Sequence, residues 1–223
     1  MKVSNSSQST SSNPRDNIKL PDKMTNVFHS IHDMYNTKNQ VKTSVIIGIN
    51  GLDCSGKTYF SKSLENYFTD VGVSSVVVDI DTFNVKVIED HTYESFSKKQ
   101  FTDKDLEMYY SQIIDFNLAR KKILELIDNY SIIIIEGIFI YKKEFVDLFN
   151  IKVFLEIDYQ IAIKRFQLRQ KRNNDTRSIE IFEEIWASTH FRYLKEIDPK
   201  NLSDLVINNS DYSRPHIIKN CKN

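Results

Sequence analysis

Short unbroken runs of apolar residues alternate along this chain with longer stretches in which apolar positions recur every three or four residues, and these two periods separate strands from helices. The run Ser44 to Asn50 (SVIIGIN) is too short for a helix and too continuous for a strand with one wet face, so it predicts a strand buried on both sides. Ser74 to Ile80, Ser131 to Glu136, Ile151 to Ile157 and Leu205 to Asn208 have the same character. Between them the period lengthens. Val27, Ile31 and Met34 mark an amphipathic helix over Asp22 to Lys38, and Phe60, Leu64, Tyr67 and Phe68 a helix directly after the first strand. Leu106, Tyr109, Tyr110, Ile113, Phe116 and Leu124 predict one long helix over Asp103 to Asp128, and two more helices, Tyr159 to Lys171 and Ser178 to Glu196, precede the last strand. Strands alternating with helices in this way predict an α/β protein with a mainly parallel five-stranded sheet.

Sheets of this class bind ligands at the carboxyl ends of their strands, where Gly51, Asp81 and Glu136 all fall. The first strand runs straight into Gly51-Leu-Asp-Cys-Ser-Gly-Lys-Thr58, which satisfies the complete phosphate-loop pattern and is followed by a helix. Its glycines let successive N–H groups turn inward at a helix N-terminus, forming a concavity for phosphate oxygens. In that pattern Lys57 reaches the β- and γ-phosphates and Thr58 supplies an oxygen to Mg²⁺. ATP and Mg²⁺ are therefore the expected ligands, with Gly51, Asp53, Cys54, Ser55, Gly56, Lys57, Thr58 and Tyr59 forming the nucleotide site. Asp79 and Asp81 end the second predicted strand; one of them, with Asp81 preferred, is placed to accept a proton from an acceptor hydroxyl, and capping of a turn is the alternative role. Glu136 leaves a run of four isoleucines, where a charge is costly unless paired or near a metal, so it joins Thr58 as a candidate for the magnesium site. Arg165 and Arg169 share a helix face at i and i+4, and with Arg172 they are candidates to close over a triphosphate whose oxygens gain charge in transfer.

Composition narrows the partners. Lysine plus arginine equals aspartate plus glutamate at 30 each, so no global positive surplus holds a nucleic acid or an anionic membrane. The basic cluster from Lys164 to Arg177 is interspersed with Ile163, Phe166 and Leu168 and reads in part as the wet face of a helix. No apolar run reaches the roughly 18 residues of a membrane span, and the Ser- and Asn-rich start lacks the apolar core of a signal peptide. Residues 1–20 are expected to form a disordered leader before a single domain over 21–223. Two cysteines, Cys54 in the loop and Cys221 near the end, fit lone thiols in a cytoplasmic protein better than a disulfide. The five histidines show no zinc-like spacing; His91 and Tyr93 are candidates for an acceptor pocket, with ordinary loop roles equally open.

With these pieces in order, the chain resembles the uridine kinase branch of the P-loop kinases over about Ser44 to Pro215. The resemblance rests on the glycine loop, on Asp81-Thr82-Phe83-Asn84, Glu136-Gly137-Ile138 and Leu155-Glu-Ile-Asp158, on Arg165 and Arg169, and on Asp204-Leu-Val-Ile-Asn-Asn209. It implies a three-layer fold with a helical lid over about 159–177, Asp81 as the base, and transfer of the γ-phosphoryl group of ATP to a hydroxyl of a small molecule, a nucleoside such as uridine first. Asn84 stands where the family usually has tyrosine and Gln170 where it usually has aspartate, and the family's base-binding insertion is not recognisable between Phe83 and Tyr130. Nucleoside-monophosphate kinase and nucleotide-hydrolysing regulator are the alternatives; the first lacks its Asp-Arg-Tyr and Arg-Glu-Pro motifs here, the second a switch-like Asp-x-x-Gly segment. A homo-oligomer is compatible with either reading.

Overall fold

The computed structural model describes residues 22–39, 44–174 and 177–220; the leader at 1–20 and Cys221 lie outside them. Helix α1 (Asp22–Lys38) precedes strand β1 (Val45–Gly51), the loop, and helix α2 (Lys57–Asp70). Strand β2 (Ser75–Asp79) passes through a single 3₁₀ turn (Ile80–Phe83) into helices α3 (Lys86–Ser97), α4 (Asp103–Gln112) and α5 (Phe116–Leu124). Strands β3 (Ile132–Gly137) and β4 (Ile151–Glu156), helix α6 (Tyr159–Asn173), a π-helical segment (Ile181–Ala187), helices α7 (Ser188–Ile197) and α8 (Pro199–Leu202), and strands β5 (Leu205–Asn208) and β6 (His216–Asn220) complete it.

Among the described residues the sheet has six strands in the order β2-β3-β1-β4-β5-β6, one more than expected; the first five are parallel and β6 is antiparallel to β5. Strand β6 escapes the sequence pattern because it is an edge strand with only Ile217 and Ile218 for apolar content. The four isoleucines of β3 show why the central strands read as unbroken apolar runs. Ile132 and Ile134 face a core shared with Phe28 and Ile31 of α1 and Phe60, Leu64 and Phe68 of α2. Ile133 and Ile135 face a second core with Ile123 of α5, Phe166 of α6, and Phe182, Ile185 and Tyr193 beyond it. Each fully buried side chain of this size contributes about 1.5–3 kcal/mol, so both layers are clamped to the sheet.

Two departures from the sequence pattern shape the site. The expected long helix over Asp103 to Asp128 is two helices. Asp115 accepts from the Leu118 amide at 2.9 Å and starts α5 afresh, while Ile113 O accepts from Val85 N at 2.7 Å and Asp115 N donates to Phe83 O at 3.0 Å. The break therefore frees backbone that staples the segment just after Asp81. Helix α3 is the second departure: its buried residues are Thr92 and Ser95, while its apolar residues Ile88, Tyr93 and Phe96 pack against the second core only partly buried.

Candidate functional site

Strand register brings the site together. Asn50 lies beside Gly137 and Asp79 beside Glu136, so the glycine loop, the turn carrying Asp81 and the end of β3 emerge side by side. Gly56 caps α2 with φ 94°, a left-handed conformation that favours glycine, and without a side-chain cap. A Cβ there would also lie 2.4 Å from the Tyr212 ring and 2.8 Å from Asn209 Nδ2. The first amides of α2 consequently face the cavity, which is the arrangement that binds an anion. Buried Lys57 folds back across the loop, its Nζ donating to Gly51 O and Leu52 O at 3.2 Å each. Asn209 Nδ2 donates to Ser55 O at 2.6 Å and fixes the loop from β5.

The carboxylates divide their roles. Asp79 Oδ1 accepts from the Asp81 amide at 2.9 Å, and Asp79 O from Thr82 Oγ1 at 2.7 Å, so Asp79 builds the turn. Asp81 opens to solvent on one side and is walled by protein on the others; it lines the same cavity as Asp53, Lys57, Thr58 and Glu136. Enclosure, reinforced by the negative charge of Asp53 and opposed by Lys57, pushes its carboxyl up to about 7. Glu136 is buried and also raised, chiefly by burial, with Lys57 and a hydrogen bond from Thr58 pulling the other way. One of its oxygens has no partner. A buried orphan carboxylate oxygen beside a hydroxyl, amid further carboxylates, suits Mg²⁺ and its waters, so Thr58 and Glu136 fit the group expected of them.

The close fit beneath Asp81 is testable. A Cβ on Gly137 would lie 1.8 Å from Ile80 Cγ2, because the turn bearing Asp81 packs directly on β3. Gly137→Ala is expected to cost about 1–3 kcal/mol through overpacking, read by urea unfolding, and to lower turnover by displacing Asp81.

The arginines of α6 prove unlike one another. Arg165 donates to Cys54 O (3.2 Å), Ser55 O (3.4 Å), Asn209 O (2.8 Å) and Ser210 O (2.8 Å), and its guanidinium lies 3.5 Å from the Tyr212 ring centroid. It ties the loop to the chain beyond β5. Arg165, Arg169 and Arg172 all line the cavity of about 330 Å³, together with Tyr59, Leu168 and Tyr212. Arg169 Nε is buried without a hydrogen-bond partner. Within the expected lid, residues 159–173 form helix α6 and residues 175–176 lie outside the described residues.

A second cavity, about 720 Å³, is lined by Tyr93, Phe96, Phe101, Arg177, Ile181 and Glu184, among others. Buried Tyr109 lies within electrostatic reach of Tyr93, Asp53 and Asp81, so it stands between the two spaces. His91, the other acceptor-pocket candidate, instead pairs with Asp105 at 2.8 Å. Buried His190 stacks on Phe154 at 6.2 Å between ring centroids and is pushed down to about 3 by burial, which keeps it neutral. Asn209, Tyr212, Tyr109 and Trp186 were not singled out as site residues from the sequence. Asn209 ends a strand motif legible in the sequence, Tyr212 lies in a loop without pattern, and Tyr109 falls in the apolar stripe of a predicted helix.

The phosphoribulokinase/uridine kinase family model matches residues 46–129, from β1 through Asp81 to the approach of β3. A uridine kinase of Listeria monocytogenes is 26% identical over 183 residues, covering 74% of this chain and 87% of the relative. One from Leuconostoc citreum is 27% identical over 186 residues, covering 73% and 86%. The solved structure of a possible uridine kinase from Bacillus stearothermophilus superposes with a TM-score of 0.56 at 19% identity, over 81% of this chain and 98% of that one.

Proposed function

We propose that this chain, a P-loop kinase of the phosphoribulokinase/uridine kinase type, transfers the γ-phosphoryl group of ATP to a hydroxyl of a small acceptor, with a nucleoside such as uridine as first candidate. The observation that carries this reading is one cavity holding Lys57, the Thr58–Glu136 pair and an open carboxylate, Asp81. Loop amides at the start of α2 receive the phosphates, and Lys57 exchanges its two loop carbonyls for phosphate oxygens. Arg169 and Arg172 balance charge on the transferring group, while Arg165 keeps the loop in shape. Mg²⁺ held through Thr58 and Glu136 supplies further neutralisation of the triphosphate. The acceptor oxygen forms the new P–O bond as the bond to ADP breaks, and its proton passes to Asp81. Beyond Tyr109, the cavity at Tyr93, Phe96 and Phe101 offers room for the rest of the acceptor.

The test is a screen of purified protein with MgATP against nucleosides, pantothenate-like alcohols and sugar alcohols. ADP formation is expected to require one of these acceptors and to match a phosphorylated product one for one by mass spectrometry. Equal ADP release with and without every acceptor would replace this reading with nucleotide hydrolysis.

A further inference from the structure

Among the described residues no carboxylate forms an ion pair with Arg169, which lines the nucleotide cavity. What surrounds it is aromatic. Its guanidinium lies 5.7 Å from the Phe166 ring and 5.5 Å from the Trp186 ring, and those rings stand at 88° with centroids 5.5 Å apart. The side chain thus occupies a corner whose two walls come from different elements, α6 and the π-helical segment. Aromatic faces attract a cation without neutralising it, so Arg169 keeps its full charge for the cavity it lines.

The second wall is itself held. Trp186 is the only tryptophan of the chain, is buried, and donates Nε1–H to the Tyr93 hydroxyl at 3.2 Å. Tyr93 lies within electrostatic reach of Tyr109 and lines the second cavity. Arg177 packs on the same indole at 4.8 Å. The π-helical turn at Ile181–Ala187 brings Phe182 and Trp186 together against Phe166, with centroid distances of 5.2 and 5.5 Å. Turns of this kind are rare and recur at functional sites.

We propose that Trp186 is a positioning residue: with Phe166 it forms the corner that points Arg169 at the γ-phosphate, and through Tyr93 it fixes that corner to the wall of the second cavity. The proposal rests on the nucleotide-binding reading above and adds to it a residue that touches neither phosphate nor acceptor.

The experiment compares Mg-ATP and Mg-ADP affinities of the full chain with those of Trp186→Leu, Trp186→Phe and Tyr93→Phe, alongside thermal unfolding. Arg169 senses the third phosphate, so Trp186→Leu is expected to reduce the preference for ATP over ADP by about tenfold while ADP affinity stays parental. Trp186→Phe, which keeps an aromatic face, restores most of that preference. Tyr93→Phe, which leaves both rings in place and is the mildest change to the fold, gives a smaller loss in the same ratio. A merely structural role would instead lower the melting temperature and weaken both nucleotides alike, and that result overturns the proposal. So does an undiminished ATP preference in folded Trp186→Leu, or in Tyr93→Phe if the leucine variant does not fold. A parent chain that binds neither nucleotide would sink the nucleotide reading itself, and the positioning role with it.

Discussion

Lys57→Ala is expected to lower acceptor phosphorylation by at least about 10²- to 10³-fold, the usual cost of removing a preorganised group from developing charge. Two opposing effects on the folded protein accompany that loss. Gly51 O and Leu52 O lose the ammonium that now donates to them at 3.2 Å, and unsatisfied buried acceptors cost about 1–3 kcal/mol each where water cannot replace the donor. Against this, a buried cation is no longer desolvated. The cavity is open to water on the Asp81 side, so the carbonyls rehydrate and the net stability change is small beside the change in rate. Single-turnover phosphorylation of the acceptor found by the screen, measured with a variant shown to be folded, tests this. Parental turnover would remove Lys57 from the transfer machinery.

Much of this site could be read before any coordinates because its chemistry is local in sequence. The glycine loop needs its residues consecutive, and Gly51 to Thr58 occupy the expected strand–loop–helix junction. Asp81 and Glu136 were visible because a charge after an apolar run is conspicuous. The arginines were only half legible: i,i+4 spacing puts Arg165 and Arg169 on one face, but what each meets there depends on elements far away in sequence. Arg165 meets Asn209 and Ser210; Arg169 meets Trp186. Helix α3 was not legible: Thr92 and Ser95 take its buried positions, and Ile88, Tyr93 and Phe96 beside them are only partly buried. The break at Ile113–Asp115 was invisible because its reward is a set of backbone hydrogen bonds to Phe83 and Val85, to which no side-chain period responds.

Asp81→Asn is expected to separate activity from stability. Asparagine keeps the shape of the side chain and loses its basicity, and removing a positioned general base costs about 10²- to 10⁴-fold in rate. ATP affinity should stay close to parental, because the proposed phosphate contacts come from the loop amides and Lys57, so the loss belongs to acceptor-dependent turnover. Stability should move the other way. In the Mg²⁺-free chain the Asp81 carboxyl sits at about 7 instead of its ordinary 3.8. Between these values the folded protein holds a proton that the unfolded chain releases, so stability falls as pH rises through that window and the deficit is complete above about 7. Asparagine carries no such deficit. The variant should therefore gain on the parent between pH 4.5 and pH 8, by a margin that solvent exposure of the side chain keeps modest. Urea unfolding of both proteins at the two pH values, without Mg²⁺, reads the margin, and adding Mg²⁺ with ATP should shrink it as cations compensate the carboxylate. A difference that does not change with pH would show that Asp81 ionises freely in the folded chain. Parental turnover in a variant that binds ATP and acceptor normally would show, independently, that the proton of the acceptor goes elsewhere.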